Sequence, residues 1–401
     1  MIRTFWILII PMFLGYFVST STAAVINYKS LYIKHLIEIT HQWKRALPKI
    51  KKSAHYAAEK IIAGGNLYVA GPQKNFPIEA YVRAGGLMLA RPYNKNIILT
   101  NKDVILAATD NGRLPDTFFS MMKKTDKDGC NIILFCSSLN QPLPKNHFIT
   151  LLFPGKKILS NNTIAPDLSS VSNIIGMWTW TGEFASACVK KGKMPNFYES
   201  YGLPGGIKRD EALKNKPFDI HSNVTSSDVK NPGYKYLTIV ANSLSSILKQ
   251  KTEFQKAAEI IQNAHKTGHK ILVFYNGHMF PGEIINKQTP KWITINPRYG
   301  IYNIEPSAIE SLSSKDVVII LEYQYFPKKF ISDIYSHNAY CILTCSQNPP
   351  TWFLKRTKNI YINPFWPLTD AVVSIPNYDI KILPISGIMQ SAIYWQLIGL
   401  L

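Results

Sequence analysis

The stretch Gly268-His-Lys-Ile-Leu-Val-Phe-Tyr-Asn-Gly277 decides the fold, because the chain contains a second, earlier version of it. The earlier version is Asn66-Leu-Tyr-Val-Ala-Gly71. Continuous apolar runs of this length that end near a glycine are typical of strands buried on both faces of a parallel sheet. The two stretches therefore predict one such strand in each half of the chain.

Further landmarks surround the two strands in the same order, which indicates an internal duplication. Each strand follows an Ala-Ala-Glu tripeptide and precedes a Phe-Pro-x-Glu tetrapeptide, an apolar strand led by aspartate, and an apolar strand that contains cysteine and ends in serine. The landmarks are residues 57–59, 76–79, 103–109 and 130–138 in the first half, and residues 257–259, 280–283, 316–322 and 339–346 in the second. Their shared order predicts two copies of one folding unit.

Helical segments separate the predicted strands. We predict helices at residues 54–63, 77–90, 114–124 and 168–189 in the first copy, and at residues 245–266, 326–337 and 386–401 in the second. This alternation predicts an α/β fold of two doubly wound, mainly parallel sheets, each covered by helices as a three-layer sandwich. The predicted domains are residues 27–192 and 237–401, joined by a connector rich in proline and glycine at residues 193–236.

This order of elements resembles the sugar isomerase (SIS) domain, present in tandem. The resemblance is carried by residues 268–277, by Ser314-Lys-Asp-Val-Val-Ile-Ile320 and by Cys341-Ile-Leu-Thr344. It implies a site at the carboxyl ends of the strands, where ligands bind in open α/β sheets. It also implies that hydroxyl-rich turns, after the first strand and after the aspartate-led strand, hold a sugar phosphate.

In this chain the corresponding turns lack the serines that the resemblance implies. They are residues 71–75 and 276–279 after the first strands, and residues 109–112 and 322–325 after the aspartate-led strands. Pro72 has no N–H to donate to an anion, and the carboxylates of Asp110 and Glu322 would repel a phosphate. We therefore expect a scaffold that binds a carbohydrate derivative (sugar or sugar phosphate) without isomerase activity.

Candidate site residues lie at or near these turns. The catalytic candidates are His278, Glu183, Glu79 and Glu283, and the ligand-binding candidates are Gly71, Gln73, Thr109, Asn111, Gly112, Asn276 and Gly277. Histidine exchanges a proton near neutral pH, and a glutamate can act as a base. Structural roles stay open, because a loop histidine can serve only as a hydrogen-bond partner. Glu79 and Glu283 follow prolines that favour helix starts, where acidic side chains are stabilised.

The chain of 401 residues carries 45 Lys and Arg against 25 Asp and Glu, a net charge of +20. Its composition, 46% hydrophobic and 17% charged, excludes a disordered or collagen-like chain. The basic residues are dispersed and no nucleic-acid-binding motif accompanies them, so we expect no nucleic-acid partner. Anionic envelope polymers or lipid head groups are partners that such a charge attracts. Assembly into a homo-oligomer stays open.

The five cysteines indicate neither a metal site nor a disulfide framework. Cys130 with Cys136, and Cys341 with Cys345, fall within predicted strands, and no second Cys or His pair stands at zinc-ligand spacing. We expect buried free thiols, no metal and no cofactor.

The first 24 residues have the three parts of a secretory signal peptide. Arg3 supplies a positive charge, residues 5–18 are apolar, and small residues up to Ala24 form a cleavage region. About 14 apolar residues are fewer than the roughly 20 that cross a bilayer as a helix. We predict an extracytoplasmic protein, periplasmic or secreted. The alternative is a membrane anchor formed by an uncleaved signal.

Two other functions stay open at this stage. One is an active aldose–ketose isomerase acting on sugars or sugar phosphates, in which the catalytic candidates move protons. The other is a basic structural or adaptor protein of the cell envelope. A pocket lined by Asn111, Gly112, Asn276 and His278 would favour ligand binding, whereas a cleft filled by Tyr323, Tyr325 and connector aromatics would favour a scaffold.

Overall fold

The computed structural model describes residues 31–109, 131–137, 148–152, 168–219, 221–278, 280–285, 289–295 and 309–401. Within these residues each half of the chain forms one five-stranded parallel sheet. The predictions for the signal peptide, for the helix at 114–124 and for Asn111 and Gly112 lie outside the described residues.

The first sheet has the strand order β2-β1-β3-β4-β5. Its strands are β1 (Leu67–Ala70), β2 (Ala90–Pro92), β3 (Val104–Thr109), β4 (Asn131–Cys136) and β5 (Phe148–Leu152), and its helices are α1 (Leu31–Ile62), α2 (Asn75–Ala80) and α3 (Ser169–Val189). Leu67 of β1 pairs with Val104 of β3, which pairs in turn with Asn131 of β4. Every described residue of β3 and β4 is buried, as their continuous apolar sequences predict.

The connector lies against the first domain. It contains β6 (Met194–Pro195), α4 (Gly206–Leu213) and β7 (Phe218–Asp219), and β6 pairs with β7 in the antiparallel sense. Two isolated bridges join Ala84 to Tyr198 and Leu87 to Phe197. The connector therefore covers the segment that links α2 to β2.

The second sheet has the order β12-β11-β10-β8-β9. Its strands are β8 (Ile271–Tyr275), β9 (Ile293–Ile295), β10 (Val317–Leu321), β11 (Tyr340–Thr344) and β12 (Asn359–Tyr361). Its helices are α5 (Pro232–Lys249), α6 (Lys251–Lys266), α7 (Phe280–Ile284), α8 (Lys328–Ser336), α9 (Thr351–Leu354) and α10 (Ser386–Ile398), the last preceded by a hairpin of β13 (Ala371–Val373) and β14 (Ile382–Pro384). The order matches the first sheet strand for strand, with β8 at the place of β1. The predicted two-domain α/β class is confirmed.

The last helix of each copy lies in the shared core. Every residue of α3 and of α10 is buried, which agrees with sequences that are apolar on all sides. One hydrophobic cluster contains α1, α3, α10 and inward-facing residues of both sheets. The two domains are therefore packed through one core, and this packing brings the carboxyl ends of their strands together.

Several boundaries differ from the sequence prediction. The helix expected at 77–90 ends at Ala80, because Val82 has a left-handed backbone (φ 50°) and the chain then enters β2. The helix expected at 245–266 is divided at Gln250, whose ψ of 45° leaves the helical region. Among the described residues, no helix combines the length and apolarity needed to cross a bilayer.

Candidate functional site

The turn after β1 is pressed against the neighbouring strand. Gly71 has φ 142°, and a Cβ there would lie 2.7 Å from the carbonyl oxygen of Ala108 in β3. The buried Gln73 follows, and its Oε1 accepts a hydrogen bond from Asn173 Nδ2 on α3 at 3.0 Å. The same Nδ2 donates to the backbone oxygen of Thr109 at 3.0 Å. An amide of the terminal helix thus closes the strand ends of the first domain.

The second domain is closed in an equivalent way. Gln390 Nε2 on α10 donates to the backbone oxygens of Asn276, at 2.7 Å, and of Leu321, at 3.2 Å. A Cβ at Gly277 would lie 2.4 Å from Gln390 Oε1, so a larger residue there would require the Gln390 amide to shift. Thr109 and Leu321 are the last residues of the equivalent strands β3 and β10. In each domain an amide side chain of the terminal helix therefore lies at the strand ends, beside the turns that the resemblance assigns to a phosphate.

The glutamates of the two Phe-Pro-x-Glu motifs both lie at the domain boundary, and Glu283 forms hydrogen bonds across it. Glu283 Oε1 accepts hydrogen bonds from Asn75 Nδ2, at 2.9 Å, and from the hydroxyl of Ser170 in the first turn of α3. Glu79, the fifth residue of α2, forms an ion pair with Arg83. These contacts place both carboxylates in the interface between the copies.

Arg83 is a buried cation that joins the two domains. Its Nη2 lies 2.6 Å from Asp370 Oδ2 and donates to the hydroxyl of Ser386 at the start of α10, and its Nε lies 3.2 Å from Glu79 Oε1. Arg83, Glu79 and Asp370 are each at most 1% exposed. Burial raises the pKa of Glu79 to about 7, and the Arg83 charge opposes this shift. The carboxylates in turn raise the pKa of Arg83, which keeps it charged.

Above Arg83 lies a cavity of about 180 Å³ at the carboxyl end of the second sheet. It is lined by His278 after β8, by Tyr323 and Gln324 after β10, and by Ser200 and its neighbours in the connector. Ser200 Oγ lies 2.6 Å from Tyr323 Oη and accepts from Gln324 Nε2 at 2.7 Å. The connector thus forms one wall of a small, polar, preformed site.

His278 lines this cavity, and part of its side chain is exposed. Its ring is hydrogen-bonded to the backbone of Ile78 on α2. The pKa of His278 is lowered, chiefly because protein atoms surround the rest of the ring and also because the Arg83 cation is close. The imidazole is therefore neutral at physiological pH.

Glu322 is a second buried acid beside this site. Its Oε1 accepts hydrogen bonds from Asn276 Nδ2, at 2.9 Å, and from the backbone N–H groups of Tyr323 and Gln324, at 2.9 and 3.3 Å. Burial raises the pKa of Glu322 to about 7 despite these donors. Its Oε2 has no hydrogen-bond partner within the described part of the chain.

Glu183 lies apart from the other candidates. Its Oε1 accepts from the backbone N–H of Gly233 at 3.1 Å, near the start of α5. It lines a different cavity, of about 150 Å³, together with Lys51, His55 and Lys190. Glu79, Glu283, His278 and Glu183 thus all lie where the two copies meet, but Glu183 lines a different cavity from His278.

The described residues contain no group of three or more His, Cys, Asp or Glu side chains placed to hold a metal ion. Cys136, Cys188, Cys341 and Cys345 are buried free thiols. Burial raises the pKa of Cys136 and Cys341 to about 12, so these groups are protonated and unreactive.

Sequence reasoning missed Arg83, Asp370 and Ser200. The one available signal for Arg83 is a single cation within the otherwise apolar and small residues 80–90. Asp370 and Ser200 stand in segments without periodicity. Their place beside Arg83 and the cavity follows only from the packing of the two copies.

Two solved structures share this fold over most of their length. The C-terminal domain of glucosamine-fructose-6-phosphate aminotransferase from Francisella tularensis aligns with a TM-score of 0.53 and 10% identity, over 90% of this chain and 92% of that one. A proposed phosphosugar isomerase from Clostridium difficile 630 aligns with a TM-score of 0.52 and 9% identity, over 92% of this chain and 91% of that one. The tandem SIS-like fold expected from the sequence is thereby confirmed.

Compared as a sequence, the chain matches no protein-family profile and no curated protein.

Proposed function

We propose that this protein binds a carbohydrate derivative in the cavity beside His278 and does not isomerise it. The observation that carries the proposal is the polar cavity at the carboxyl end of the second sheet, lined by His278, Tyr323 and Gln324. Ligands of open α/β sheets bind at this edge. The shared fold with the aminotransferase domain and the phosphosugar isomerase supports a sugar as the ligand.

The cavity chemistry favours an unphosphorylated sugar. Hydroxyl, amide and imidazole groups can donate to and accept from sugar hydroxyls. Asn173 and Gln390 lie at the strand ends beside the turns that would hold a phosphate, and the Arg83 cation is already paired with Asp370 and Glu79. A volume of about 180 Å³ is the volume that about six water molecules occupy in the liquid. This is suited to one small sugar ring.

The same groups argue against turnover. Isomerisation moves a proton between carbon atoms, and a general base works best with a pKa near the operating pH. The lowered pKa of His278 makes it a weak proton acceptor at neutral pH. Glu79 and Glu283 are held by Arg83 and by Asn75 and Ser170, within the interface. Glu322, whose pKa is about 7, does not line the cavity.

Titration calorimetry with a panel of free, amino and phosphorylated hexoses tests the proposal. We expect at least one free or amino sugar to bind, His278→Ala to weaken it about tenfold or more, and His55→Ala, in the other cavity, to leave it unchanged. Proton NMR in D₂O should show no exchange at the substrate carbon next to the carbonyl. Absence of binding across the panel contradicts the proposal, and exchange that depends on His278 would favour an active isomerase instead.

We also propose that the protein acts outside the cytoplasm. The support is that the first 24 residues contain, in this order, a positive charge, an apolar stretch and a run of small residues. Cell fractionation with an epitope at the C-terminus tests it, because retention in the cytoplasmic fraction would contradict export. Salt-sensitive retention on an anionic envelope polymer without sugar binding would instead favour the basic adaptor function.

A further inference from the structure

A second, larger recess lies next to the cavity. It has a volume of about 850 Å³ and runs between the edge strand β2 and the connector. We call it the tyrosine groove, because Tyr81, Tyr198 and Tyr201 line it. Its volume falls within the range of about 300–1,000 Å³ that is usual for ligand sites.

The aromatic side chains of the groove are clustered and accessible. Tyr81 is 40% exposed and Tyr201 is 57% exposed, and Tyr198 is half-buried between them and the core. The three phenol groups are close enough to influence one another, because Tyr81 and Tyr201, besides burial, raise the pKa of Tyr198 to about 12. Single exposed aromatics are common on protein surfaces, but a cluster in a recess marks a binding surface.

Asp210 supplies an acceptor that no described residue uses. The residue is 3% exposed and lines the groove. Its Oδ1 accepts from the backbone N–H of Glu199 at 2.9 Å and lies 3.6 Å from Arg209 Nη1. Its Oδ2 is buried and has no hydrogen-bond partner among the described residues. Buried acceptors are rarely left unpaired, so this oxygen points to a ligand that donates a hydrogen bond.

The charge of the groove differs from that of the whole chain. Arg91, Lys214 and Lys216 line it together with Asp210 and Glu211, so basic and acidic groups almost balance. The net charge of the chain, by contrast, is +20. The groove is therefore not built for a polyanion. Aromatic faces with one free acceptor suit a neutral, hydroxyl-rich ligand with an apolar C–H face.

The groove is continuous with the cavity beside His278. Val82, Tyr198 and Tyr201 line both recesses. If a sugar ring bound in the cavity, the next sugar unit of the same chain would lie over the tyrosines. The groove there has more than four times the volume of the cavity. Resting on the proposed function, we propose that the tyrosine groove holds the further units of a neutral oligosaccharide whose end unit occupies the cavity.

Titration calorimetry on the full chain tests this with glucose, N-acetylglucosamine, maltotetraose, cellotetraose and chitotetraose. In at least one series we expect the tetramer to bind at least tenfold more tightly than its monosaccharide. Tyr81→Ala should remove most of that gain and leave monosaccharide affinity within about twofold. Asp210→Asn, which replaces the free acceptor by a donor, should weaken the tetramer at least threefold. Tyr234→Ala is the matched control, because Tyr234 is 50% exposed on another surface.

The outcomes separate this proposal from the preceding one. Equal affinity for monomer and tetramer in every series overturns the groove proposal and leaves the cavity proposal intact. Length-dependent binding that survives His278→Ala overturns the cavity proposal and leaves the groove as a saccharide site. Binding of an extended peptide, lost in Tyr81→Ala, with no saccharide bound, would assign the groove to a strand added beside β2 and would also overturn the proposal.

Discussion

Arg83 connects the two halves of the molecule directly below the proposed sugar site. Its guanidinium contacts Glu79 in the first domain, and Asp370 and Ser386 in the second. A buried ion pair adds little net stability when compared with apolar packing, but removing one partner leaves an uncompensated charge. The network therefore fixes how the copies meet, and it sets the base of the cavity.

Asp370→Asn tests that network with little change in shape. Asp370 has a left-handed backbone (φ 59°), which asparagine also tolerates. We expect the free energy of unfolding in urea to fall by about 3–5 kcal/mol, because Arg83 loses its main counter-charge. The matched control is Asp379→Asn, which breaks an exposed pair with Arg209 and should cost about 1 kcal/mol or less. Equal losses in the two variants would contradict the assigned role of Arg83.

Glu322 predicts a pH dependence with a defined sign. Because burial raises its pKa from 4.5 to about 7 in the folded protein, the folded state holds this proton more tightly than the unfolded state. Its stabilising contribution is complete below about pH 4.5 and is lost as pH rises through about 7. At about 1.4 kcal/mol for each pKa unit, the loss over this interval is about 3–4 kcal/mol.

Urea unfolding of wild type and Glu322→Gln at several pH values measures this loss. The buried Glu79 also has a pKa of about 7 and contributes with the same sign in both proteins. The wild type should therefore lose stability more steeply than the variant between these pH values. Parallel curves would show that Glu322 does not titrate as described.

The terminal helices α3 and α10 make equivalent contacts, each in its own domain. Each supplies one amide side chain, Asn173 or Gln390, to the carbonyl oxygen at the end of the central strand. These donors add side-chain hydrogen bonds at the strand ends, where the carbonyl of Leu321 also accepts from the backbone N–H of Asn276. Each terminal helix is thus held against the strand ends of its own domain, and the cavity beside His278 lies on the connector side.

We expect Gln390→Leu to destabilise the protein, although leucine is apolar and similar in size to glutamine. It removes the donor to the carbonyl oxygen of Asn276, and an unsatisfied buried carbonyl costs about 1–3 kcal/mol, whereas Leu321 keeps its hydrogen bond from the backbone N–H of Asn276. We expect thermal unfolding to report a loss of about 1–3 kcal/mol. Ser391→Ala, one residue away and equally buried, removes only a bond to Gly387 within the helix and should cost less than about 1 kcal/mol. A mild effect of Gln390→Leu would contradict the closure.

The duplicated architecture could be predicted because it rests on local signals. Residues 66–71 and 270–277 read as buried strands, and they occupy equivalent places in the two sheets. The edge strands β2 and β9 were missed, because Ala90-Arg91-Pro92 and Ile293-Thr294-Ile295 are short and lack a continuous apolar run. The position of such an edge strand is set by its pairing with a neighbouring strand. The sequence of one segment alone does not encode that pairing.

The site could be predicted only in part. His278, Glu79 and Glu283 were placed near strand ends by motif, and the structure puts them at the interface of the copies. The closing amides and the tyrosine groove depend on residues far apart in sequence, such as Tyr81 and Tyr201. Amino-acid composition does not reveal such contacts.

A crystal structure of the protein soaked with the sugar that binds best is the most direct test of the account. We predict electron density for one sugar ring between His278 and Gln324, with Asn173 and Gln390 still closing the strand ends. A ring bound instead against Gly71 or Gly277, with those amides displaced, would contradict the central claim that the two copies have moved their sugar site to the connector side.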